Sequence, residues 1–195
     1  MKLIEDALIE YIDIGIDQSS KLIRWKSDSS NVHRLDIMAA RSSAHQGFYK
    51  RIEKSNLRTI FTKKRDFTFI ICTKENVQYQ LMEAVLDEII VQFFNIYGEQ
   101  VSSNFISGGM ETMFEGFENQ IPHIIEEVQK NKVKWVRSHC KLCHSNHKVY
   151  VKRSLVENAD NYPVSLVYFH LGHGILLHID ANFQVRGTEI VNISG

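Results

Sequence analysis

The chain has 195 residues, 44% hydrophobic and 24% charged, the balance expected of a soluble globular protein and not of a disordered one. Lys plus Arg and Asp plus Glu both number 23, so the net charge is +0 and no global attraction draws the chain to nucleic acid or an anionic membrane. The longest apolar runs, residues 67–72 and 89–94, are far short of a membrane span, and the first stretch carries acids among its apolar residues, unlike a signal peptide. A cytoplasmic protein is expected, peripheral to membranes only through partners.

Taken in chain order, Leu8, Ile12, Ile14 and Ile16 alternate with Tyr11, Asp13, Gly15 and Asp17. A polar turn at 18–20 and a second apolar run, Leu22-Ile23-Arg24-Trp25, make this a β-hairpin. Residues 27–31 offer helix-starting side chains, and Val32, Leu35, Ala39, Ser42, Tyr49 and Ile52 follow at helical spacing. Residues 57–61 and 67–73 flank the charged turn 63–66 as a second hairpin, whose last strand is apolar on both faces and so central in a covered sheet. Leu81, Val85, Ile89, Phe93 and Tyr97 form the stripe of a long helix, with Gly98 as its expected carboxy-terminal cap. Gly108 and Gly109 precede a further amphipathic stretch carrying Met113, Phe117, Gln120, Ile124 and Val128, which Pro122 splits in two. Beyond Ser138 only strand and turn are expected, at 148–152, 164–171, 174–179 and 183–190. The reading is two modules, residues 1–132 and 133–195.

The stretch RDFTFIICTKENVQYQLMEAVLDEIIVQFFNIYGEQVSSNF, residues 65–105, resembles longin-like domains, and in particular the small subunits of clathrin-type adaptor complexes. The residues that carry the resemblance are Phe67, Phe69, Cys72, Glu75, Asn76, Tyr97, Gly98, Asn104 and Phe105. It implies an α/β fold, an α-β-α sandwich around a five-stranded antiparallel sheet. It also implies a non-catalytic scaffold in trafficking or small-GTPase regulation, with a small GTPase or another longin- or roadblock-type subunit as partner, or a homo-oligomer. The residues agree on catalysis, since the first module has no G-x-x-x-x-G-K-[ST], G-x-G-x-x-G or G-x-S-x-G motif. His33, His45 and His123 lie in helical patterns and read as surface positions. Phe93, Phe94 and Phe114 would form a docking face if exposed.

The second module is expected to be β-rich, and six of the nine histidines lie in it. HCKLCHSNH, residues 139–147, holds Cys140 and Cys143 at a spacing that lets one tight turn offer two thiolates to a zinc ion. The remaining ligands are either local, among His139, His144 and His147, or distant, His170 and His173 in FHLGHG. We take Cys140, Cys143, His170 and His173 as the metal set and zinc as a structural cofactor, a staple suited to a small sheet short of core. A redox pair lacks the usual thioredoxin-like context. Cys72 reads as core.

Two other functions remain open. A metal-dependent hydrolase would use the histidine cluster with His178, Asp180, Arg186 and Glu189, although HIDANFQVRGTE reads equally as a hairpin in which Arg186 pairs with Glu189. A zinc-ribbon nucleic-acid binder would use the basic belt Lys130, Lys132, Lys134, Arg137, Lys141, Lys148, Lys152 and Arg153 with Trp135 and Tyr150, against a solvated face as the simpler account. IDANFQVRG, with the upstream C-x2-C and Tyr-Pro, is similar to a small module recurring in archaeal proteins.

Overall fold

The computed structural model describes residues 8–16, 21–25, 34–103 and 113–191. Asp17, the turn at 18–20, the helix-starting residues 27–31, Val32, His33, Asn104, Phe105, Gly108 and Gly109 lie outside the described residues. The chain divides into two compact units, Met1–Gln129 and Lys130–Gly195.

In the first unit β1 (Ile9–Gly15), β2 (Lys21–Trp25), β3 (Lys50–Lys54), β4 (Leu57–Lys64) and β5 (Phe67–Lys74) build one antiparallel sheet in the order β2-β1-β5-β4-β3. As its apolar composition requires, β5 is central and buried from Phe67 to Thr73. Its alternate residues serve different helices. Ile70 and Cys72 cluster with Ile37 and Ala40 of α1 (Arg34–Ser43) on one face. Phe67 and Phe69 meet Phe93 of α2 (Tyr79–Ser103) on the other, at ring distances of 5.1 and 5.5 Å. The sheet therefore lies between a helix on each face.

Two expectations for this unit, the reach of the first helix and the cap at Gly98, need correction. The first helix stops at Ser43 and does not reach Ile52. Ser42 and Ser43 turn their hydroxyls back onto the Ala39 carbonyl at 2.9 and 2.8 Å, and Gly47 at φ 74 reverses the chain. His45 and Gly47 then pair with Lys63, and Ile52 belongs to the end strand β3. Gly98 is interior to α2, which continues through Ser103. Phe93 and Phe114 are fully buried and Phe94 half-buried, because they fill an aromatic cluster with Phe67, Phe69, Tyr97 and Phe117 and do not form an exposed face. The stripe Leu81, Val85, Ile89, Phe93 and Tyr97 is buried throughout. Pro122 starts α3 (Ile121–Glu127) after a single 3-10 turn, Phe117–Asn119. Along this stretch Phe117, Ile124 and Val128 are buried while Met113 and Gln120 are exposed.

In the second unit β6 (Val133–His139) and β7 (Asn146–Lys152) form a two-stranded ribbon, and β8 (Val164–His170), β9 (His173–Ile179) and β10 (Val185–Val191) a three-stranded sheet in the order β10-β9-β8. A short helix, α4 (Arg153–Glu157), interrupts what was expected to be strand and turn alone. Arg153 and Glu157 pair one turn apart at 3.3 Å, and the Tyr162 hydroxyl donates to the Val156 carbonyl at 2.6 Å. The core joins Val136, Val149 and Val151 of the ribbon to Leu166, Ile175, Leu177 and Ile179 of the sheet, with Val156, Phe183 and Cys140. Among the described residues no helix is long and apolar enough to cross a membrane.

Candidate metal centre

Two turns deliver the cysteines and histidines. The first follows β6, where the Cys140 amide donates to the Ser145 carbonyl at 2.9 Å and closes a loop that holds Cys143. The second joins β8 to β9, whose last and first residues, His170 and His173, pair across a two-residue turn. Leu171 and Gly172 have φ 45 and 75, the positive values at both central positions that a tight hairpin demands. This turn explains the short H-x2-H spacing, since the two histidines flank a reversal and do not share a helix face.

The Sγ atoms of Cys140 and Cys143 and one ring nitrogen each of His170 and His173 lie within 4.8 Å of one another. Cys140 Sγ is 3.7 Å from His173 Nδ1, and Cys143 Sγ is 3.3 Å from His170 Nε2. Zinc bonds to sulfur and nitrogen at tetrahedral angles put such donors about 3.5 Å apart, so the donor set and its spacing fit that ion. Cys140 is buried and Cys143 half-buried. Hydrogen bonding to His147 and then to His170 pulls the Cys143 thiol down to about 5, against a desolvation that raises it, with Ser145 adding to the lowering. The thiolate is the form a metal takes.

His147 stands beside this group. Its Nε2 is 3.8 Å from Cys143 Sγ, farther than the His170 nitrogen, and its ring centre lies 3.8 Å from that of His170. Tyr168 stacks on His170 at 5.4 Å and 10°, a supporting contact that the sequence reading missed. The alternation of β8, which places Tyr168 on the face of His170, was the signal for it. The Nδ1 atom of His170 is buried without a hydrogen-bond partner. His139 and His144 are exposed, and His139 turns its Nδ1 to Asn146 Oδ1 at 3.2 Å.

The residues considered for hydrolysis are not gathered at the cysteines. His178 and Asp180 lie at and beyond the opposite end of β9 from His173, roughly 16–23 Å along an extended strand. Arg186 pairs with Asp180 at 2.6 Å and not with Glu189, which instead accepts from His178 Nε2 at 3.1 Å. Asp180 also accepts the amides of Asn182 and Gln184 at 2.9 and 2.8 Å, so it shapes the turn into β10.

The basic belt is divided by the pleat. Trp135 pairs with Tyr150 and Arg137 with Lys148 on one face of the ribbon, while Val136, Val149 and Val151 face the core. The Lys148 ammonium lies 4.7 Å from the Trp135 ring centre. Comparison with protein-family models and with curated proteins finds no match.

Proposed function

We propose that this chain is a non-catalytic scaffold of two units, the second stapled by a structural zinc on Cys140, Cys143, His170 and His173. The observation that carries the reading is the convergence of four zinc-type donors from two turns far apart in sequence, all within 4.8 Å of one another and with two sulfur–nitrogen pairs at 3.7 and 3.3 Å. Four protein ligands complete the coordination of zinc and leave no position for a reacting water, which favours a structural over a hydrolytic role. The ion would join the ribbon to the three-stranded sheet in a unit whose buried core is small.

For the first unit, the longin-like resemblance together with a five-stranded antiparallel sheet covered by a helix on each face supports a docking role. The partner we propose is a small GTPase or another longin- or roadblock-type subunit. The place we propose for it is the end strand β3, which stands last in the sheet order and has Phe48, 71% exposed, just before it.

Native mass spectrometry with elemental analysis tests the staple. One zinc per chain is expected, lost in Cys140→Ser/Cys143→Ser. Freshly reduced protein without metal refutes it. Co-purification from the native cell tests the docking role, and recovery of neither a GTPase nor a like subunit counts against that partner.

A further inference from the structure

The net charge of +0 conceals an uneven distribution. Residues 130–195 carry nine Lys and Arg against four Asp and Glu, whereas residues 1–129 carry fourteen against nineteen. The second unit is thus +5 and the first −5 before histidine is counted. Between Glu127 and Glu157 the sequence has eight Lys and Arg and no acid at all.

The same unit exposes leucines where folding gives no reason for them. Leu171 is 83% exposed at the centre of the β8–β9 turn, with φ 45, a conformation that asparagine or glycine adopts far more readily. Leu142, between the two cysteines, is 54% exposed. These two residues sit on the two turns that the cysteines and histidines draw together. Phe169 and Val167, also exposed, continue the apolar character along the outer face of β8, opposite the buried Leu166. Next to Leu142 is the exposed Lys141, and the ribbon adds Arg137 and the amphipathic ring of Trp135. Of the four acids, Glu157, Asp180 and Glu189 are engaged by Arg153, Arg186 and His178.

We propose that the end of the second unit carrying the cysteine and histidine turns docks on an anionic phospholipid surface. Leu142 and Leu171 enter the interface, and Lys141, Arg137 and the basic ribbon meet the headgroups. Apolar tips beside basic residues match a bilayer boundary, where aliphatic and aromatic side chains lie below a negative surface. A single-stranded nucleic acid would use the aromatic and basic face of the ribbon but has no use for aliphatic residues at the turn tips. The surface rests on the metal reading only in so far as an ion would hold the two turns rigid.

The test is co-sedimentation of the full chain, its zinc content measured, with vesicles of phosphatidylcholine alone and of phosphatidylcholine with phosphatidylserine. Binding to the second kind only, weakening as salt rises, is expected. Leu171→Asn should lower the vesicle affinity about tenfold while leaving the melting temperature unchanged or higher, because asparagine tolerates the positive φ. Arg137→Gln/Lys141→Gln should lower it roughly thirtyfold. Zinc-loaded protein that ignores phosphatidylserine vesicles overturns the proposal and leaves the staple standing. Zinc-free protein that binds them with the same dependence on Leu171 and Leu142 supports the proposal and removes the staple. Vesicle binding indifferent to Leu171→Asn and Leu142→Ser, alongside tight binding of a single-stranded oligonucleotide, overturns it in favour of a nucleic-acid surface.

Discussion

Asp13 is fully buried in the middle of β1, where an unpaired carboxylate would be untenable. Arg24, its cross-strand partner on β2, donates to Oδ2 at 2.9 and 2.6 Å, and Arg41 of α1 donates to Oδ1 at 2.5 Å. One carboxylate thus ties two strands and a helix, and its removal leaves two guanidinium groups facing each other. Asp13→Ala should destabilise the first unit by about 3 kcal/mol or more in denaturant titration, with Asp13→Asn recovering part of the loss. Asp180 is the second residue with a readable electrostatic role. The Gln184 amide above all, with Arg186 and the Asn182 amide, holds its carboxyl below the ordinary 3.8, against a desolvation that raises it. A depressed folded-state value means that the contribution is complete above 3.8 and fades as pH falls below it. Melting followed against pH should therefore show a loss near and below pH 4 that is absent in Asp180→Ala. That variant should also melt lower than the parent at neutral pH.

At the scale of elements, local patterns read correctly wherever one face of an element meets the core. The stripe from Leu81 to Tyr97 is buried as its spacing requires, and β5 is central as its two apolar faces require. Errors arose where a local signal had a non-local competitor. Tyr49 and Ile52 fell at helical spacing by coincidence, and pairing with β4 took that segment into the sheet. Gly98 resembled a cap because helices commonly stop at glycine, but the packing of Tyr97 against Phe114 and Phe117 carries α2 past it. This gives a direct test. A Cβ added at Gly98 meets only the Phe94 Cβ at 4.0 Å, an ordinary contact. Gly98→Ala should accordingly raise stability by about 0.5–1 kcal/mol in chemical unfolding.

For the whole molecule, the division into Met1–Gln129 and Lys130–Gly195 gives two cores of different character. The first is dense in phenylalanine around β5 and α2, whereas the second relies on a handful of valines, isoleucines and leucines beside Cys140. A strong chelator should thus abolish or sharply lower the melting transition of the second unit and leave that of the first in place, as scanning calorimetry would read. A chelator without effect on either transition contradicts the staple. Much of this was legible from residue order alone: the C-x2-C turn, the H-x2-H pair, the strand alternations and the long helical stripe are properties of neighbouring residues, which backbone periodicity exposes. The tertiary structure decided which strands pair, so that β1 lies beside β5, why Asp13 is tolerated inside, and that the histidines lying nearest the cysteines are those of the β8–β9 turn. The physical reason is that periodicity fixes only the face a side chain takes on its own element, whereas pairing partners, buried charges and convergent ligands depend on long-range packing that no local spacing encodes.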